Sequence, residues 1–218
     1  DWVGLMGNVA TRVEKVLHEV MKLQRTVFSE VSEAFDSEKQ VGSSTMAHKR
    51  NPITAENACG LARIVRSMIV PSYENALLWH ERDLANSSSE RFTLSHSMIL
   101  LDDIIAKCDS VLSSMEVDSE RMRENIESQN GLIMAEKVML ELVDRGMARE
   151  EAHEALRKAS LDAVDQSLHL EDACRGSKVI SGIIEGASLS ALFDPRSHLG
   201  SSGEVVDLAV GKARDRCS

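Results

Sequence analysis

Residues 94–115 read LSHSMILLDDIIAKCDSVLSSM, and the apolar positions Leu94, Met98, Leu101, Ile105, Cys108, Leu112 and Met115 recur at alternating steps of four and three. That is the period of a helix presenting an apolar seam to its neighbours. A strand cannot use it, because side chains in a strand change face at every residue. Asp102, Asp103, Lys107 and Asp109 fall off the seam and are expected to meet water. The spacing predicts a helix from about Ser87 to about Met115, which needs other helices around it.

The segments on either side extend this pattern. A second helix is predicted over residues 54–78, with Ala58, Leu61, Val65 and Met68 on one stripe and a kink at Pro71. Between Asp1 and Phe35, Val9, Val13, Val16, Val20, Leu23 and Val27 again step by four and three, predicting a helix over that whole stretch. A helix that starts at the first residue leads us to expect a chain cut from something longer. Beyond Val117 the helices become shorter and more charged. Asp118 or Ser119 can cap one, Gly131 to Arg145 forms another that Gly146 ends, and a third starts near Ala148 with Glu150 and Glu151 in its first turn. Past Gly176 short helices and loops are expected. The fold class is therefore all-α: a long-helix bundle over residues 1–117 and a small helical C-terminal domain over 118–218, with no segment reading as sheet.

Composition narrows the function classes. The net charge is −10 and no Lys/Arg-rich run occurs, which argues against nucleic-acid binding. No stretch reaches the ~18 apolar residues of a membrane span. Cys59, Cys108, Cys174 and Cys217 are widely spaced and read as free thiols in a reducing cytosol, so a cytoplasmic location is expected. His18, His80, His96, His153, His169 and His198 show no metal-ligand spacing, and no metal is expected.

Two segments carry the polar chemistry. Between the first two helices runs Gly42-Ser43-Ser44-Thr45-Met46-Ala47-His48-Lys49-Arg50-Asn51-Pro52, with three hydroxyls, an imidazole and two cations in close succession. Successive backbone N–H groups in such a loop can line an anion site; the alternative is a solvated polar loop. The other segment is Leu78-Trp79-His80-Glu81-Arg82-Asp83-Leu84-Ala85-Asn86-Ser87-Ser88-Ser89-Glu90-Arg91. Ser87 and Glu90 have capping-box spacing, predicting a helix start, and helix starts bind phosphate. The apolar seam extended backwards from Leu94 passes through Arg91 and Ser87. This suggests either a phosphate or carboxylate pocket at the end of the bundle, with Arg82 in reach, or an Arg91 paired with an internal carboxylate.

The first loop resembles the signature Gly-Ser-Ser-x-Met-x-x-Lys-x-Asn-Pro of the fumarase/aspartase superfamily, with Ala47 where many members have proline. Trp79-His-Glu-Arg-Asp83 followed by Ser87-Ser-x-Glu90-Arg91 looks like the adenylosuccinate lyases rather than their relatives. The resemblance implies that Ser43 is the general base, and that Lys49 and Asn51 hold the leaving dicarboxylate portion and its carbanion. Ser44 and Asn57 are counted with the substrate-binding groups. Glu56 is counted with the catalytic ones, although by position alone it is an ordinary carboxylate of a helix's first turn. Arg82, Ser87 and Arg91 would contact a nucleotide phosphate.

The reaction so implied is β-elimination of fumarate from adenylosuccinate, giving AMP, and from the succinylated aminoimidazole carboxamide ribotide. It needs no cofactor. The site would be assembled from three subunits of a homotetramer, with the general-acid histidine lying ahead of Asp1. The rival readings are another lyase or cycloisomerase of the superfamily and a non-catalytic helical oligomerisation fragment.

Overall fold

The computed structural model describes residues 2–34 and 50–217, with the side chain of Cys217 excluded. Two compact units divide at Met122 and Arg123, a few residues beyond the sequence boundary expected at 117. The first unit contains α1 (Trp2–Leu23), β1 (Val31–Ser32), α2 (Ile53–Ser67), α3 (Ile69–Glu74), α4 (Ala85–Ser114) and β2 (Glu116–Val117), and ends within α5 (Ser119–Glu127). α1, α2 and α4 pack against one another. The buried face of α2 is made of Ala55, Ala58, Cys59, Ala62 and Val65, and these small residues let the neighbouring helices approach closely. Leu17, Ile104 and Val111 fill the core around them.

Three expectations need correction here. The first helix stops at Leu23 instead of Phe35. Ser29 turns the chain at a φ of 52°, and Glu30 N–H donates to the Leu23 carbonyl. Val31 and Ser32 then pair antiparallel with Val117 and Glu116, so a small sheet exists where none was expected. Backbone groups of two distant segments satisfy each other, which outweighs the local helical pattern. The buried stripe of α1 is Val3, Met6, Gly7, Ala10, Leu17 and Val20, while Val16 and Val27 are exposed.

On α4 the buried positions are Asn86, Thr93, Ser97, Ile104 and Val111. Met98, Ile105 and Leu112 of the expected seam lie 42–47% exposed. Leu94, Leu101 and Cys108 of the same seam are partly buried against the core, so the seam straddles the edge of the buried face and leaves every second member outside. The break between α2 and α3 falls at Met68, three residues before Pro71, which has no N–H to donate to the Ser67 carbonyl.

The second unit holds α6 (Ala135–Asp144), α7 (Arg149–Asp165), α8 (Leu170–Gly176), α9 (Lys178–Ser181), α10 (Gly186–Leu192) and α11 (Ser202–Cys217). Val138, Leu142, Leu156, Leu170, Ile180, Ile184 and Leu189 form its core. Gly146 ends α6 at a φ of 97°, its N–H donating to the Val143 carbonyl and that of Met147 to Leu142. α11 has 16 residues, longer than the short helices expected past Gly176. Cys59 and Cys174 are buried free thiols and Cys108 is half-buried. Burial pushes the Cys174 thiol up to about 11.

Candidate active site

Ser43, Ser44 and Lys49 lie outside the described residues, but the segments that flank their loop do not. Glu33 is 7% exposed, and its two carboxylate oxygens accept from the backbone N–H groups of Thr54 (3.1 Å) and Ala55 (3.2 Å) in the first turn of α2. A carboxylate there satisfies orphan donors and meets the positive end of the helix dipole. Glu33 N–H donates to Gln24 Oε1 at 2.9 Å, and Gln24 Nε2 donates to the Arg50 carbonyl at 3.4 Å. The chain leaving for the loop and the chain returning from it are thus tied to the same end of the bundle. No local pattern marks Glu33, because its partners lie more than twenty residues on. Glu33→Ala strands one buried and one half-buried N–H group and should lower stability by about 2 kcal/mol, seen as a reduced thermal midpoint. An unchanged midpoint would show that the clamp contributes nothing.

Beside this clamp lies a cleft of about 840 Å³, lined among the described residues by His18, Met21, Lys22, Gln24, Arg25, Thr26, Arg50, Asn51, Pro52 and Glu56. Asn51 is half-buried just before α2, and Glu56 is exposed in that helix's first turn. Asn57 is exposed and does not line the cleft. Lys22, Arg25 and Arg50 give the cleft a cationic wall in an otherwise acidic chain, a setting suited to a dicarboxylate. Lys22 and Arg25 escape a motif reading because α1 brings them there from outside the loop.

The start of α4 differs from the capping box expected of Ser87 and Glu90. α4 begins at Ala85, so Ser87 sits inside the first turn, and Glu90 Oε1 accepts from Asn86 Nδ2 (2.9 Å). Asp83 does the capping: its carboxylate accepts from the N–H groups of Ala85 (2.8 Å) and Trp79 (3.0 Å). These two bonds hold the Asp83 carboxyl below its ordinary pKa. His80, at a φ of 51°, makes the reversal that closes this turn. Arg91 is exposed and not on the buried stripe, which Asn86 and Thr93 occupy instead; a seven-residue repeat slips relative to a 3.6-residue helix. Arg82 is exposed too, and neither arginine has an acidic side-chain partner among the described residues. Ser87 is half-buried between them in sequence.

The structure does not bring the two groups together. The cleft with Asn51 and Glu56 borders Met21, near the end of α1, whereas a cavity of about 170 Å³ at the other end of the unit joins Val3 to Glu90, Thr93 and Leu94 of α4. Val3 and Met21 are eighteen residues apart on one helix, so roughly 27 Å separates the two ends. One copy of the chain cannot place Asn51 and Arg91 on the same small molecule.

Comparison with known proteins shows similarity along nearly the whole chain. Residues 1–67 match a family described as "Lyase", and residues 131–209 one described as "Adenylosuccinate lyase C-terminus". The adenylosuccinate lyase of Methanothermobacter thermautotrophicus is 42% identical over 98% of the chain and 48% of its own length. That of Archaeoglobus fulgidus is 41% identical over 96% and 47%. The chain thus spans about half the length of the curated relatives it matches. Among solved structures, the 3-carboxy-cis,cis-muconate lactonizing enzyme of Pseudomonas putida superposes with a TM-score of 0.87 at 28% identity, covering 100% of this chain and 47% of that one. A fumarate lyase from Mesorhizobium sp. BNC1 gives 0.83 at 26%, covering 96% and 45%.

Proposed function

Because the chain belongs to the adenylosuccinate lyase family of the fumarase/aspartase superfamily, we propose that it supplies the proton-abstracting loop and the phosphate-binding helix start of an enzyme that eliminates fumarate from adenylosuccinate, leaving AMP. The succinylated aminoimidazole carboxamide ribotide is the second substrate of the same chemistry. Residues 1–117 belong to the central bundle domain and 118–218 to the small C-terminal one. The enzyme works in the cytoplasm and needs no cofactor, metal or nucleic acid.

Ser43 removes the proton next to the succinyl carboxylate, and Lys49, Asn51 and loop N–H groups hold the resulting carbanion. The electron pair then forms the fumarate double bond as the carbon–nitrogen bond breaks. The departing nitrogen takes its proton from a histidine that the family pattern places ahead of Asp1. Glu56 lines the cleft with Lys22 and Arg25, which add positive charge, and Ser44 and Asn57 are assigned to substrate binding by the family pattern alone. Arg82, Ser87 and Arg91 take the nucleotide phosphate.

The observation that carries this reading is the pair of exposed arginines flanking Ser87 at the start of α4, with no acidic side-chain partner among the described residues. A lyase or cycloisomerase acting on a substrate without phosphate has no use for them. The separation of the two groups along α1 supports a site shared between copies in a homotetramer. The exposed apolar side of α4, with Met98, Ile105 and Leu112, offers the surface for such an assembly.

The test is fumarate release from adenylosuccinate by the chain joined to the half of the Methanothermobacter relative that it does not match. No release would sink the assignment. A charge-assisted bond to phosphate contributes about 1.5–3 kcal/mol, so Arg82→Ala and Arg91→Ala should each raise KM roughly ten- to a hundredfold. kcat should change less, and a substrate lacking the phosphate should be insensitive to either change. Unaltered KM values would remove both arginines from the site.

A further inference from the structure

Glu14 and His18 stand one turn apart on α1 and face Cys59 on α2, and the ligand atoms of all three lie within 4.8 Å of one another. Met21, one further turn along α1, places its Sδ 3.7 Å from Cys59 Sγ. The cluster therefore offers a carboxylate oxygen, an imidazole nitrogen, a thiol sulfur and a thioether sulfur. His18 and Met21 also line the cleft, which provides a way in from solvent.

From this convergence we propose that Glu14, His18 and Cys59 form a site for a borderline divalent cation of the zinc type, with Met21 beside it. Ligands around tetrahedral zinc, at bonds of roughly 2.0–2.3 Å, sit about 3.5 Å apart. Closing from 4.8 Å takes a small rotamer adjustment of Glu14 and of the exposed His18. Hard cations such as magnesium or calcium are disfavoured, because only one of the donors is an oxygen. Glu14 Oε2 accepts from Arg66 Nη1 and Oε1 lies 3.8 Å from Arg63 Nε, so metal binding keeps the Arg66 bond and displaces the longer contact to the exposed Arg63 side chain. Sequence spacing conceals the site, since Cys59 comes from a different helix.

Binding must displace the thiol proton: the sulfur–hydrogen bond breaks, a metal–sulfur bond forms and one proton is released. Burial raises the Cys59 thiol, as do the Glu14 and Glu56 carboxylates, while Arg63 and Arg66 pull it down. Because the thiol proton must leave for the metal to bind, affinity should fall as pH falls.

The test titrates the chain with Co²⁺ under reducing conditions. A near-ultraviolet thiolate-to-cobalt absorption should appear, be displaced by Zn²⁺, and be accompanied by proton release. Cys59→Ser should abolish the absorption and Cys108→Ser leave it intact. His18→Ala, at an exposed position that the core does not use, should weaken binding at least tenfold while leaving the far-ultraviolet dichroism unchanged. Absence of the band, its survival in Cys59→Ser, or undiminished affinity in His18→Ala would each overturn the site. The readout is binding, so it stands or falls independently of the lyase reading.

Discussion

Fumarate release should fall by roughly a thousandfold when Ser43 becomes alanine, the middle of the range that a positioned general base contributes. That corresponds to about 4 kcal/mol of lost transition-state stabilisation. A serine hydroxyl is an unpromising base in water and acts as one only where its alkoxide is stabilised. Lys49 six residues on and the loop N–H groups are the groups proposed to do so. The hydroxyl works in the proton transfer and not in holding the ground state, so the loss should fall on kcat with KM nearly unchanged. Ser44→Ala, which removes a hydroxyl assigned to binding, should cost far less. The measurement is ultraviolet-monitored turnover of adenylosuccinate by the joined protein described above. If Ser43→Ala keeps its rate while the parent is active, the base lies elsewhere and the loop assignment fails, although the family would stand.

In the second unit, Gly131→Ala is expected to be the most damaging small substitution. Gly131 sits at a φ of 76° and a ψ of 0°, heading the short 3₁₀ turn Leu132–Met134. Alanine in the left-handed region costs about 1 kcal/mol by itself. A Cβ there would also lie 2.6 Å from His169 Cε1, 2.8 Å from His169 Nε2 and 3.1 Å from Phe193 Cε1. The His169 ring cannot simply swing away. Its Nδ1 accepts from Glu171 N–H at 3.2 Å, capping α8, and its face meets Phe193 at a centroid distance of 5.5 Å. Moving the ring gives up the cap, worth about 1 kcal/mol, and disturbs packing besides, for a total of about 3 kcal/mol. Gly146→Ala provides the contrast, because Gly146 also has a positive φ but nothing within 4 Å of an added Cβ. It should cost only the backbone term. Thermal unfolding must be followed by far-ultraviolet circular dichroism, since Trp2 and Trp79 both lie in the first unit. Equal midpoints for the two variants would show that the His169 contact is not what constrains Gly131.

The all-α class, the helix from 85 to 114, the kink before Pro71 and the glycine end of α6 were all legible from local pattern, because each depends on residues within a turn or two of one another. Ser43, Lys49, Asn51, Arg82, Ser87 and Arg91 could be singled out for a similar reason: they fall in contiguous segments dense in polar groups. Which face of a helix is buried is a different kind of question. On α4 the four-three seam is present in the sequence, yet the neighbours in the unit bury Thr93, Ser97 and Ile104 most deeply and cover only Leu94, Leu101 and Cys108 of the seam in part. Periodicity says that a face is apolar but not which element covers it. The early end of α1 and the pairing of Val31 with Val117 were hidden because their partner lies far along the chain. The same holds for the Glu33 carboxylate on α2, the approach of Glu14 and His18 to Cys59, and the length of α1 between the two groups of candidate site residues. Sequence alone determined which chemical groups this protein carries and that helices carry them. Only the tertiary structure decided which of those groups meet, because burial and long-range hydrogen bonds are set by packing and not by spacing.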